Sequence, residues 1–251
     1  MRGYDSQTYG RSFADVYDEW YAGVTPVATT VERMVALAGR GGRLLELGAG
    51  TGRLAVPLAD AGMNVTAVDA SAEMLAHLRR RDADGAVSVV HGDMVDDLPD
   101  GPFDVALVAY NTIFNLLDVD RQIACFRGVA SCLRPGARFV VEAFVPDEGV
   151  IHGDQVGVRS MGIDHVVLSV SRHEPATQRA DGQFVEITEE GGVRLRPWAI
   201  RWAGPDELDE MASAAGFVRE HRWADMAGAD FDDDSPGHVS VYRRPDASTG
   251  G

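Results

Sequence analysis

The stretch Leu44-Leu45-Glu46-Leu47-Gly48-Ala49-Gly50-Thr51-Gly52-Arg53 decides how the rest of the chain is read. A short apolar run, broken only by Glu46, leads directly into glycines at alternate positions. Such a run bounded by turn formers is a buried strand. Glycines let the backbone turn tightly and let a ligand lie directly on main-chain amides. The spacing is G-x-G-x-G, without the extra residue before the third glycine that the dinucleotide fingerprint carries. Arg53, rather than a small apolar residue, opens the helix that follows.

Outward from this turn, β-branched runs alternate with helical ones. Strands are expected at 43–47, 64–68, 87–90, 104–109 and 138–142, with helices at 54–61, 71–81 and 121–133, the last closed by Pro135-Gly136. That alternation, with near-continuous apolar strands, predicts a parallel sheet covered on both faces. Its ligands bind beyond the carboxyl ends of the strands. From about 146 to 202 the texture changes to strands at 155–160, 165–171, 183–188 and 193–202. Pro175, Asp181-Gly182 and Gly191-Gly192 stand between them as turn formers, so antiparallel hairpins are expected. A helix at 205–215 and a closing strand pair at 217–223 and 238–243 complete a single domain over 1–251. The small polar tail, 245–251, is expected to be disordered.

Two acids follow the glycine turn in order. Asp69 ends the second strand, 23 residues after Glu46, where a carboxylate can accept both hydroxyls of a ribose. Asp93 lies just past the third strand, placed to accept from an exocyclic amine. Together the three strand ends read as one nucleoside site.

At these residues the chain resembles the class I S-adenosylmethionine-dependent methyltransferases, small-molecule type. ELGAGTG (46–52) matches that family's first motif, VDAS (68–71) its ribose motif and GDM (92–94) its adenine-contact motif, and LRPGARFVVE (133–142) resembles the segment leading into its fifth strand. The resemblance implies an α/β fold: a Rossmann-like seven-stranded methyltransferase sheet whose last strand is antiparallel, with an antiparallel β-rich cap (about 146–202) inserted after strand 5. It implies S-adenosyl-L-methionine as cofactor and S-adenosyl-L-homocysteine as product. Glu46, Gly48, Ala49, Gly50, Gly52 and Arg53 would carry it, Asp69 and Ala70 would bind the ribose, and Asp93 and Met94 would flank the adenine. Tyr17, Met74 and Tyr110 are counted with this cofactor set. The segment Tyr9-Gly10-Arg11-Ser12-Phe13-Ala14-Asp15-Val16-Tyr17-Asp18 is similar to the N-terminal segment of bacterial sugar N,N-dimethyltransferases. That implies a lid over about 4–30, with Tyr9 near the reacting groups. A histidine of those enzymes falls on Asn115 here, a departure from their pattern.

Methyl transfer requires a positioned nucleophile and, for an alcohol, somewhere for a proton to go. Tyr9, Asn115, His165 and His173 are the catalytic candidates, the two histidines because they stand on the cap. His152, His221 and His238 rank below them, as do Glu142, Tyr110 and Asn111 at the ligand edge of the sheet. Phe13, Tyr17, Trp20 and Tyr21 share one helical stripe that reads as core or as a water-excluding lid. Arg201, Arg79-Arg80-Arg81 and Asp232-Asp233-Asp234 read as surface-paired or solvated charges.

Composition removes several classes. All 23 basic residues are Arg against 39 acids, net −16, so neither a lysine Schiff base nor a P-loop lysine is available. That charge disfavours nucleic-acid and membrane partners. No acid, His or Cys cluster has metal-ligand spacing, and Cys125 and Cys132, about 10 Å apart along one helix, read as buried apolar residues. Without a signal-peptide core or membrane span, a cytoplasmic protein is expected. The expected function is methyl transfer to N or O of a small molecule, in bacterial secondary metabolism, since the all-Arg, Ala/Gly/Val-rich usage suggests a GC-rich source. The alternatives are a non-methylating cyclase, decarboxylase or hydroxylase that keeps the cofactor, a nicotinamide oxidoreductase, or a non-catalytic binding protein. Acceptor and oligomeric state are not read from the sequence.

Overall fold

A computed structural model describes residues 1–24, 26–147 and 152–246. In chain order the strands are β1 (Arg43–Leu47), β2 (Asn64–Asp69), β3 (Ser88–His91), β4 (Phe103–Val108) and β5 (Leu133–Phe144), then β6 (Gly153–Met161), β7 (His165–Glu174), β8 (Arg179–Thr188) and β9 (Val193–Arg201), and finally β10 (Val218–Trp223) and β11 (Gly237–Arg243). One sheet has the order β10-β11-β5-β4-β1-β2-β3, parallel from β5 through β3, with β11 antiparallel to both neighbours. The cap is a separate antiparallel sheet, β6-β7-β8-β9. This is the layout the motifs implied.

The central strands are apolar without alternation because helices cover both faces. Val105, Ala106, Leu107 and Val108 of β4 are all fully buried. The helices are α1 (Thr8–Phe13), α2 (Tyr17–Trp20), α3 (Val27–Ala38), α4 (Ala55–Asp60), α5 (Ala72–Arg81), α6 (Val119–Cys132) and α7 (Pro205–Ala214). Ser71 caps α5 by accepting the Met74 N–H, and Asp118 caps α6 by accepting that of Arg121. None of the helices among the described residues is long and apolar enough to cross a membrane.

Three local expectations change. Helix α6 ends at Cys132, and Pro135-Gly136 sits inside β5, where the register with β4 jumps from Phe103↔Leu133 to Val105↔Arg138. Proline disfavours helix in the residue before it, so the chain is already extended there. Asp181-Gly182 is not a turn: both residues pair within β8, opposite Arg172 and Trp198. Gly182 is needed because a Cβ there would meet the Trp198 indole at 2.3 Å. The aromatic stripe is not one helix either, since α1 and α2 are separate short turns. Its rings still converge, Phe13 lying 6.2 Å from Trp20 and 5.8 Å from Phe184 of the cap. Of the tail, 247–251 lie outside the described residues.

Two buried arginines join the parts. Arg201 is not a surface residue: its guanidinium donates to Gln122 of α6 (2.6 Å) and to Gln178 (2.6 Å) and Glu207, fixing the cap to the body. Arg196, only 1% exposed, donates to the Ser12 carbonyl and Asp15 of the N-terminal segment and to Glu186 of β8. Arg196→Met keeps the apolar stem but strands Glu186. A loss of about 1.5–3 kcal/mol is expected, the worth of charged hydrogen bonds, because the half-exposed Asp15 regains water. Arg194→Ala, removing the exposed partner of the same Asp15, should cost under about 1 kcal/mol. Urea unfolding of the two variants checks the difference.

Candidate cofactor and acceptor site

At the carboxyl end of β1 the glycines take left-handed backbone, with φ of 65° at Gly48, 58° at Gly50 and 78° at Gly52. The three serve different ends. A Cβ on Gly48 would strike Thr112 at 2.2 Å, and one on Gly52 would strike Leu78 of α5 at 2.7 Å. Gly52 is therefore a packing glycine. At Gly50 the nearest atom to such a Cβ is on the Tyr17 ring, 3.9 Å away. The Gly50 N–H donates to Asp69 Oδ2 (2.8 Å), while Asp69 Oδ1 accepts the Ser71 N–H (2.8 Å). Burial pushes the Asp69 carboxyl up against the pull of these two bonds.

Asp69 thus stands fixed at the edge of a cleft that Gly48, Gly50, Ala70, Met74, Asp93 and Met94 also line. Asp93 is held by Arg121 (2.7 Å) and by the Val95 N–H (2.8 Å), both on Oδ1. The ends of the first three strands share this one space. Its roof is the N-terminal segment, with Tyr4, Ser6, Tyr9 and Tyr17 facing it. That segment is tied down at the glycine turn: Thr51 Oγ1 donates to Asp18 (2.6 Å), and Arg81 donates to the Thr51 carbonyl (3.0 Å) and to Asp18 (2.7 Å). Arg81 is therefore a strut and not a solvated helix end.

Further in, Glu46, Ala49, Arg53, Tyr17 and Tyr110 surround a smaller cavity. Burial drives the Glu46 carboxyl up to about 8, with Arg53 pulling it down and Asp69 pushing it up. Its Oε2 is buried and has no hydrogen-bond partner. A buried acceptor of this kind calls for a donor, and the amino-acid end of an adenosyl-methionine supplies one. The left-handed glycine turn, anchored Asp69 and buried Glu46 fit that ligand.

Across Tyr9, Tyr17, Thr112 and Asn115 the cleft opens into a chamber. Its other walls are Tyr21, Tyr110, Asn111, Phe144, Phe184, Trp198 and Ile200. Among the described residues, no carboxylate, histidine or arginine lines it. Burial pushes the Tyr9, Tyr17 and Tyr110 hydroxyls up, so these phenols keep their protons at neutral pH.

The structure does not bring His165 or His173 to this place. His165, paired with exposed Asp164 (2.9 Å), lies in an outer groove of the cap, and His173, bonded to Ser171 (2.9 Å), lies in another beside Met1. Strand direction is the reason: the two residues stand at opposite ends of β7, and the chamber meets the cap along β8 and β9. His238 is buried against Ser240, its ring pushed down to about 3 by burial and by Arg222, and His221 stacks on Trp223. His152 is exposed. The Glu142 carboxylate accepts the Tyr110 N–H (2.9 Å). Sequence reading missed Phe184 and Trp198 as chamber walls, while Tyr21 belongs to the stripe it read as core or lid. The available signal was parity, since Phe184 shares a face with Gly182, the glycine that Trp198 covers.

Asp69→Ala removes an anchored acceptor from the cleft. S-adenosylhomocysteine affinity, measured by calorimetry, is expected to fall by about 1.5–3 kcal/mol, the range of a charged hydrogen bond. Glu46 generates a pH prediction. Its folded pKa, about 8, lies above the ordinary 4.5, so between these values the folded state holds a proton that the unfolded state has lost. Stability from this group is therefore full below about 4.5 and falls as pH rises through 8. Glu46→Gln should flatten the decline in urea midpoint measured from pH 5 to pH 9 in ligand-free protein.

Known proteins agree with this geometry. A family profile described as "Methyltransferase domain" matches residues 44–136. The chain is 34% identical over 218 residues to the cypemycin N-terminal methyltransferase of a Streptomyces species, covering 85% of this chain and 88% of that protein. It is 40% identical to the CcbJ methyltransferase of Streptomyces caelestis, whose structure superposes with a TM-score of 0.89 over 96% of this chain and all of that one. S-adenosylmethionine-bound CalS10 of Micromonospora echinaspora, an amino pentose methyltransferase 22% identical, shares the fold with a TM-score of 0.71 over 91% of this chain and 96% of that one. By sequence and by structure, the chain belongs to the class I S-adenosylmethionine-dependent methyltransferases and uses that cofactor.

Proposed function

We propose that the chain transfers a methyl group to an amine nitrogen of a small molecule, in the biosynthesis of a bacterial secondary metabolite. The observation that carries this reading is the chemistry of the chamber wall: aromatic rings, an isoleucine, two asparagines and a threonine and, among the described residues, no group that takes a proton at neutral pH. An alcohol needs its proton removed as its oxygen attacks; a neutral amine attacks with a free lone pair and releases a proton to water afterwards. Aromatic faces also favour the cationic product.

In this reading the bound cofactor supplies a methyl group on a positively charged sulfur. The 48–52 turn, with Ala49 and Arg53, holds its amino-acid end beside Glu46. Asp69 and Ala70 take the ribose, with Met74, Asp93 and Met94 around the adenine. Tyr17 and Tyr110 border the cofactor from the chamber side. Tyr9 and Asn115 line both cleft and chamber, so they orient the acceptor at the junction. Lid and cap aromatics exclude water and hold the nucleophile in line, and positioning of this kind suffices for a displacement without a base. The cypemycin relative is, by its name, an N-terminal methyltransferase, which supports nitrogen as the target.

Primary and secondary amines offered beside their hydroxyl analogues, benzylamine with benzyl alcohol as the first pair, separate the two targets. Label from methyl-labelled cofactor is expected on amines only, with a rate that rises with pH through the pKa of the amine. Label on the alcohols alone, or on no amine, would overturn the reading.

A further inference from the structure

Just beyond β4, Tyr110 and Asn111 have φ of 46° and 64°, two consecutive side-chain-bearing residues in the left-handed region. That backbone is unfavourable for both and persists only where neighbours over-determine it. The neighbour is β5. Regular pairing of β4 with β5 ends at Val108↔Val141. Past it, Glu142 Oε2 accepts the Tyr110 N–H (2.9 Å), the Glu142 carbonyl accepts the Asn111 N–H (3.0 Å), and Asn111 Oδ1 accepts the Phe144 N–H (2.7 Å).

What the turn carries is functional. It sets the Tyr110 ring 5.8 Å from Tyr21 of the lid. It leads directly into the 3-10 turn Thr112–Asn115, which brings Thr112 against Gly48 and Asn115 to the boundary of cleft and chamber. Glu142 itself lines neither cavity.

We propose that Glu142 is a positioning residue for methyl transfer: by holding Tyr110-Asn111 left-handed, it fixes the chamber wall relative to the cofactor cleft. This rests on the chamber being the acceptor site. A hydrogen-bond acceptor is what the role needs, and its charge is not. Glutamine can keep the bond to the Tyr110 N–H, and alanine cannot.

The test compares Glu142→Gln with Glu142→Ala in three readouts: amide hydrogen exchange over 110–115, S-adenosylhomocysteine affinity by calorimetry, and kcat and KM with the amine turned over fastest in the panel above. Glu142→Gln should match the parent protein in all three. In Glu142→Ala, exchange at 110 and 112–115 should quicken about tenfold or more as the turn opens locally. kcat should fall roughly 10–100-fold, as for a misplaced reacting group. Cofactor-product affinity should stay within about threefold, because the glycine turn is untouched. Equal damage to turnover in both variants would overturn the proposal, since the carboxylate would then act through its charge. So would parent-like exchange and turnover in Glu142→Ala, or a loss of product affinity as large as the loss of kcat. If no amine is turned over while exchange still separates the two variants, the acceptor reading fails and Glu142's hold on the turn stands.

Discussion

The hydrogen bond from the Gly50 N–H to Asp69, beside that from the Ala49 N–H to the Val68 carbonyl, joins the ends of two parallel strands, and the site is arranged around it. It needs Gly50 in left-handed backbone to aim the N–H sideways, and it needs β2 to end in register beside β1, where Leu47 pairs with Val68. Both conditions are met by buried apolar strands whose order leaves no freedom to slip. With one carboxylate oxygen spent on Gly50 and the other on Ser71, Asp69 is held still at the cleft. A side chain so held loses little entropy when a ligand arrives.

The N-terminal segment and the cap build the other walls of the cleft and chamber, and two arginines tie the segment down, Arg196 buried and Arg81 about one-third exposed. Arg196 connects Ser12 and Asp15 to Glu186, while Arg81 connects Asp18 to the glycine turn. A charge buried like that of Arg196 is expensive to desolvate and is balanced only in one geometry, which favours one position of the lid over its neighbours. The result is a space whose inner end holds Glu46 and Arg53 and whose outer end, among the described residues, is neutral and aromatic. In the function proposed above, that gradient would separate the binding of a charged cofactor from the positioning of an acceptor.

Local chemistry was legible wherever the residue type is dictated by backbone or burial. The 48–52 turn, the strand-ending Asp69 and the acid Asp93 follow from period and glycine spacing, the seven-stranded sheet from the family resemblance, and each is where the sequence put it. The misreadings share one cause. Asp181-Gly182 looks like a turn because glycine usually supplies backbone freedom, but here it supplies room for Trp198. His165 and His173 looked like bases because they stand on the cap, but a strand of ten residues spans far more than one pocket. Arg81 and Arg201 looked like surface charges because their partners lie 63 and 79 residues away in sequence.

By itself, then, the chain's order of residues determined the sheet, the glycine turn and the acids at the strand ends, since these depend on short-range pattern and on backbone sterics. Only the tertiary structure decided which aromatic rings line the chamber beside the cleft, that neither His165 nor His173 reaches them, and that Glu142 accepts the Tyr110 N–H. Those facts depend on which faces of distant strands meet, and a contact across tens of residues leaves no local period to read.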